Sequence, residues 1–354
     1  MTDMRLNRYQ NILFPSACSF ATVTSWLSCF LTLSVIHGFA RAEQGNDRPI
    51  PVTLEQTEQG WRLIRQGNGY WINGGGGEGS LELLQQLGGN STRIWGIEDT
   101  TLSRLDEAHQ RGLTVALGVW LEHERHGFRY SDPQQVDQQF RKVLDQVRQF
   151  KDHPAVLLWG IGNEMEGDGS NLRIWQHVEK LAAEIKAIDP HHPTMTVIAE
   201  MGGDKISQIH NLCPSIDIIG INSYGGATSI PERYRQLGGT KPYIVTEFGP
   251  PGPWESPRDA TGGVLEKNSG AKGAGYRQAY LAYQADRQLC LGCYAFLWGA
   301  KQEGTATWFG LLLSDGNKTA GVDELALLWS GKPVPNLCPK IESLTLDSPN
   351  IVPP

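Results

Sequence analysis

Residues 157–164 read LLWGIGNE and residues 243–249 read YIVTEFG. Each is an apolar run of the length of a buried β-strand, and each closes on a carboxyl group, Glu164 in the first and Glu247 in the second. The sequence between them is long enough for three β-α units. A carboxyl at the carboxyl-terminal end of one parallel strand, facing another three strands on, suits glycosidic bond cleavage. One group protonates the leaving oxygen while the other attacks or stabilises the sugar cation.

Working outward, strand-like runs recur at Tyr70–Asn73, Thr92–Trp95, Leu113–Leu121, Ala155–Gly162, Thr194–Ala199, Ile216–Asn222, Pro242–Glu247 and Cys293–Trp298. Helical patterns alternate with them at Ser80–Leu87, Leu102–Arg111, Pro133–Phe150, Asn171–Ile188, Lys205–Leu212, Pro231–Leu237, Ala271–Arg287 and Val322–Ser330. The apolar positions Phe140, Val143, Leu144, Val147 and Phe150 recur at helical spacing. Eight unbroken alternations predict an α/β fold, a single closed (β/α)8 TIM barrel. Residues 51–73 predict a short β-hairpin leading into the first barrel strand, with a turn at Gln66-Gly67-Asn68-Gly69. The Pro-rich tail after Trp329 is expected to wrap the outside. The loop after the seventh strand, from Gly249, is long and rich in Gly and Pro, the kind that carries function, with Trp254 at its centre as a sugar platform or a loop anchor.

The 354 residues, 40% hydrophobic and 19% charged, are enough for one sizeable core and argue against disorder. The net charge of −7 and the lack of a basic stripe argue against a nucleic-acid partner. Eleven Trp and ten Tyr suit sugar stacking, although most Trp in a barrel fill the core. Residues 1–42 have the pattern of a signal peptide: Arg5 and Arg8, an apolar stretch from Phe20 to Val35, and Ala40-Arg41-Ala42 before Glu43. An uncleaved anchor is the alternative. Removal would take away three Arg and one Asp, leaving −9 on a secreted or periplasmic chain. The expected organisation is 1–42 signal peptide, 43–68 lead-in, 69–335 catalytic barrel and 336–354 tail. A disulfide from Cys338 to Cys290 or Cys293 is expected, all three near the barrel's amino-terminal face.

The polar and aromatic residues at the strand ends concentrate on one rim: Arg93, Trp120, Glu122, His123, Asn163, Glu164, Glu200, Asn222, Tyr224, Glu247 and Trp298. Together, Gly162-Asn163-Glu164, Thr246-Glu247-Phe248-Gly249 and Phe296-Leu297-Trp298-Gly299 resemble the clan of retaining β-glycosidases built on this barrel. Asn222-Ser223-Tyr224 and the segment from Gly310 through Asp315-Gly316-Asn317-Lys318-Thr319-Ala320 look most like the catalytic domains of glycoside hydrolase family two. The resemblance covers about residues 60–335. It implies Glu164 as general acid/base, Glu247 as nucleophile, Asn163 on the sugar 2-hydroxyl, Arg93 and Tyr224 against Glu247, and Trp298 as the floor of the reacting subsite. A positive Arg93 would favour the Glu247 anion, and an apolar neighbour such as Trp159 would raise the Glu164 pKa. Family-two enzymes usually carry two β-domains ahead of the barrel where this chain has residues 43–68. A cleft open to longer chains is therefore expected, with His123, Glu122 and Glu200 as subsite residues, or as rim ion pairs with Arg125 or Lys205.

The expectation is a retaining β-glycoside hydrolase of β-linked oligo- or polysaccharides, leaning towards β-glucans, with no cofactor and no metal. Two related alternatives are a transglycosylase, with Trp254 or Trp308 excluding water, and a non-catalytic carbohydrate-binding barrel. Gly74–Gly79 also satisfies G-x-G-x-x-G with Glu98 or Asp99 about 20 residues on, a dinucleotide pattern that a glycine run meets by chance. His123 and His126 are three apart rather than the four of a helical zinc motif.

Overall fold

A computed structural model describes residues 48–343 and Thr345. The signal-peptide expectation, with Cys18 and Cys29, lies outside the described residues. Among those described, no helix is long and apolar enough to cross a membrane.

The chain opens on a three-stranded antiparallel meander, β1 (Val52–Thr57), β2 (Gly60–Arg65) and β3 (Asn68–Tyr70). The turn between β2 and β3 has Gln66 and Gly67 both at positive φ, 51° and 74°, which suits the twist of a two-residue hairpin. The barrel follows as β4 (Ile72–Gly76), β5 (Ser91–Ile94), β6 (Thr114–Val119), β7 (Val156–Ile161), β8 (Thr194–Ala199), β9 (Ile218–Asn222), β10 (Tyr243–Phe248) and β11 (Cys290–Phe296). All eight pair in parallel, and β11 closes on β4.

The helices are α1 (Leu81–Gln86), α2 (Thr101–Gln110), α3 (Pro133–Phe150), α4 (Leu172–Ile188), α5 (Lys205–Leu212), α6 (Ile230–Gln236), α7 (Ser269–Ala285) and α8 (Ala320–Ser330). Their starts follow from local chemistry. Asp132 accepts from the Gln134 amide ahead of α3, whose first residue is Pro133. Asn171 and Asn268 cap α4 and α7 in the same way.

The meander plugs the amino-terminal mouth. Val52 N and Trp61 N donate to His191 O and Gln288 O, at the loops entering β8 and β11. Val52 and Leu63 then join an interior cluster with Ile72, Leu158, Met195, Val197, Ile218, Ile244 and Tyr294. Burying that patch leaves the opposite, carboxyl-terminal end as the accessible one.

Two expectations fail together. The first barrel strand begins two residues later than expected and runs through Gly74, Gly75 and Gly76, so the glycine run is strand rather than a phosphate loop. A Cβ on Gly74 would lie 2.2 Å from the Tyr294 ring, and one on Gly75 would lie 2.7 Å from Trp298. The glycines make room for aromatics of the last strand. Trp298, expected to floor a sugar subsite, is fully buried in that seam, its Nε1 donating to Ser80 O.

The expected disulfide is also absent. Cys213, Cys290, Cys293 and Cys338 are all free. Cys290 begins β11 at the amino-terminal end, opposite Tyr243. Cys338 N donates to Asp323 in the first turn of α8, at the other end of the barrel.

Gly75→Val should lower stability by about 1–3 kcal/mol or more through overpacking against Trp298. Gly69→Ala, with open space around it, should be nearly neutral. Urea midpoints at constant m-value measure both.

Candidate functional site

Glu247 is the penultimate residue of β10, and its carboxylate is held from three directions. Arg93 Nη1 on β5 donates to Oε1 at 2.9 Å, Trp95 Nε1 donates to the same oxygen at 2.8 Å, and Tyr224 OH donates to Oε2 at 2.6 Å. Arg93 and Glu247 form a buried ion pair, which persists because the guanidinium fork is otherwise satisfied. Its Nη1 also donates to Thr246 O and its Nη2 to Asn163 Oδ1, 2.6 Å away. Burial, with Glu247 beside it, pushes the Tyr224 phenol well above its usual pKa, so it stays a donor.

Glu164 follows β7 and sits in a different environment. Asn222 Nδ2 donates to its Oε1 at 2.7 Å, and its backbone N–H donates to Val197 O on β8. Its φ is 52°, a left-handed conformation uncommon for a non-glycine residue and a mark of a constrained site. Burial, then the Glu247 charge, raises the Glu164 pKa, and the Asn222 hydrogen bond only partly opposes this. Trp159, expected to supply that apolar setting, is elsewhere: its Nε1 donates to Asp189, ahead of β8. One carboxyl is thus braced by a cation and two further donors, while the other is biased towards its protonated form.

Both carboxyls line a cleft of about 910 Å³ at the carboxyl-terminal end of the barrel. Of the residues expected on the rim, the cleft also gathers Trp120, Asn163, Glu200, Asn222 and Tyr224, together with Trp254 from the loop after the seventh strand. Arg93 lies beneath it. Trp254 is 65% exposed and meets Tyr224 edge-on at 5.9 Å.

Others fall outside the cleft lining. His123 is buried between the rings of Trp120, at 5.1 Å, and His126, at 5.4 Å, so it backs Trp120. Burial and the neighbouring Arg125 lower its pKa to about 4, leaving a neutral imidazole. Glu122 is exposed, and Trp308 is buried with its Nε1 on Pro251 O. Glu200 lines the cleft but pairs with Arg233 at 2.7 Å rather than with Arg125 or Lys205. Lys205 pairs with the buried Glu166 at 2.8 Å.

Trp95 and Phe296, both lining the cleft, were missed in the sequence. Trp95 was findable: it stands two residues after Arg93, and strand alternation puts both on one face. Phe296 takes the place expected for Trp298, because β11 ends there and the chain turns back into the seam.

Residues 97–253 match the family described as "Glycosyl hydrolases family 2, TIM barrel domain". Among solved structures, the chain resembles a β-D-glucuronidase of Dictyoglomus thermophilum at 16% identity and TM-score 0.60, covering 80% of this chain and 54% of that one. It resembles a Bifidobacterium dentium β-glucuronidase at 18% identity and TM-score 0.59, covering 80% and 50%. A family-two β-galacturonidase of Eisenbergiella tayi is similar at 16% identity and TM-score 0.60, covering 80% and 54%. This chain thus spans about half the length of these structures. No curated protein matches it. The chain is thus similar to the family-two barrel in sequence over residues 97–253 and to these structures in fold.

Because the folded state favours the protonated Glu164 carboxyl, its stabilising contribution is lost as pH rises through the raised pKa. Glu164→Gln, which mimics the protonated form, should melt higher than the parent at pH 8. The difference should close near pH 4, as followed by thermal denaturation.

Proposed function

We propose that the protein is a retaining glycoside hydrolase that cleaves β-linked oligosaccharides or polysaccharides through a covalent glycosyl-enzyme. The observation that carries this reading is the unequal pair on one cleft: Glu247 braced by Arg93, Trp95 and Tyr224, and Glu164 with a raised pKa. The family match and the barrel shared with the glucuronidase and galacturonidase structures support the same reaction class.

In the first step Glu164 gives its proton to the glycosidic oxygen while Glu247 attacks the anomeric carbon, so the sugar–oxygen bond breaks as a sugar–carboxylate ester forms. Esterification removes the Glu247 charge, one of the causes holding the Glu164 pKa up. Glu164 then loses its proton more readily and, as a base, takes one from the incoming water. Water attacks the anomeric carbon and frees Glu247. Asn163 accepts from Arg93 and Asn222 through Oδ1, which leaves its amide N–H groups to donate to a sugar hydroxyl. Phe296 and Trp95 supply the apolar wall.

The sugar is proposed to be neutral. Six glutamates line the cleft: Glu164 is biased towards its protonated form, Glu247, Glu200 and Glu303 are paired with Arg93, Arg233 and Lys301, and Glu78 and Glu255 remain with one further cation, Arg125. Lys301 is paired with Glu303 at 2.8 Å. A uronate, as named for the structural relatives, would find one unpaired cation in the lining, Arg125, against two unpaired carboxylates, Glu78 and Glu255. The cleft volume lies near the top of the ~300–1,000 Å³ range of small-molecule sites, which favours a substrate longer than one sugar. Export, as expected from residues 1–42, would bring the enzyme to such glycans.

Glu164→Ala should reduce turnover of β-glycosides with poor leaving groups by about 10²–10⁴-fold. Glu247→Gly should abolish turnover of an activated aryl β-glycoside. Azide should restore both, giving a β-glycosyl azide with the former and an α-glycosyl azide with the latter, read by product NMR. Full activity in either variant would refute the assignment.

A further inference from the structure

A second groove, of about 400 Å³, adjoins the cleft between the β4–α1 loop and α2. Trp95 and Glu78 line both spaces, so the indole that donates to Glu247 is also the wall between them. The far side is built from α2 and its entry: Thr100, Ser103, Arg104 and Glu107, spaced three and four apart, share one helix face. We propose that this groove is a glycan subsite holding the neutral sugar unit on the non-reducing side of the one attacked. The proposal rests on the glycosidase reading above.

The chemistry of the lining fits that occupant. An aromatic wall flanked by hydroxyls and carboxylates offers an apolar surface for a sugar's C–H face and acceptors for its hydroxyls. The lone cation is already engaged. Arg104 Nη2 donates to Gly79 O at 2.8 Å and Gly77 O at 3.2 Å, tying down the β4–α1 loop instead of standing free for an acidic sugar. The opposite loop is ordered too, by the Glu98 amide donating to Thr101 Oγ1 at 2.9 Å. The groove is therefore formed before anything binds, which lowers the entropic cost of ordering it.

Its side of the cleft sets the polarity. Trp95 touches Glu247, whereas Glu164, the proton donor to the leaving group, is held by Asn222 from β9. A leaving group belongs on the Glu164 side, so a groove behind Trp95 takes the chain that continues from the attacked ring.

Aryl glycosides test this directly, because the aryl group occupies the leaving-group position and any added sugar extends the other way. The probes are 4-nitrophenyl β-glucoside, β-mannoside and β-galactoside, and the β-1,3- and β-1,4-linked homodisaccharide glycosides of each, assayed for release of 4-nitrophenol. For the sugar accepted, kcat/KM should rise at least tenfold from monosaccharide to disaccharide glycoside. In Ser103→Trp, which fills the groove from an exposed helix position, that ratio should fall to about one. In Leu102→Trp, on the same helix but outside the groove lining, the ratio should be kept. Turnover of a monosaccharide glycoside without any gain from the second sugar removes the subsite and leaves the hydrolase reading standing, as does a gain that survives Ser103→Trp. No turnover of any probe removes both.

Discussion

The buried guanidinium of Arg93 is the contact from which the rest of the site is built. It reaches from β5 to Glu247 and the Thr246 carbonyl on β10 and to Asn163 beyond β7, so three separate parts of the barrel are fixed by one planar group. A lysine could supply the charge but not the divergent donors, and its more strongly hydrated ammonium would be costlier to bury. Because both ends of the ion pair sit on strands, its geometry is held by the barrel rather than by loops.

That anchor creates an asymmetry. Glu247 receives three hydrogen bonds; Glu164 receives one and is raised by burial and by its neighbour's charge. The segment carrying Glu164 is fixed from behind. Glu166 accepts from Lys205 Nζ and from Ala199 N, closing the β7–α4 loop onto the end of β8. This buried pair lies two residues beyond Glu164, whose φ is 52°. The chemistry proposed for the cleft depends on that difference in environment, since two equivalent carboxyls could not act as donor and nucleophile together.

Much of this was legible in the sequence because local signals and tertiary structure agree. Helices α3 and α5 begin and end where the pattern places them, α3 with its Asp132 cap, and the carboxylates at the ends of LLWGIGNE and YIVTEFG meet on one cleft. What was missed depends on contacts between distant parts of the chain. Nothing near Gly74–Gly76 says that Tyr294 and Trp298 will lie against them, so a strand read as a loop. The resemblance places Trp298 at the subsite floor, whereas Trp95 and Phe296 line the cleft. The cysteines erred by topology: Cys290 and Cys338 lie at opposite ends of the barrel, a distinction that residue spacing does not carry.

The seam where Trp298 rests on the glycines of β4 joins the first barrel strand to the last, more than 200 residues apart in the chain. Until residue 298 has left the ribosome, the nascent barrel has two open edges and a glycine-rich strand with nothing to cover it. Closure therefore comes late and involves a long loop, which makes for slow folding and a vulnerable intermediate. A cell producing this protein would gain from shielding those edges until synthesis is nearly complete.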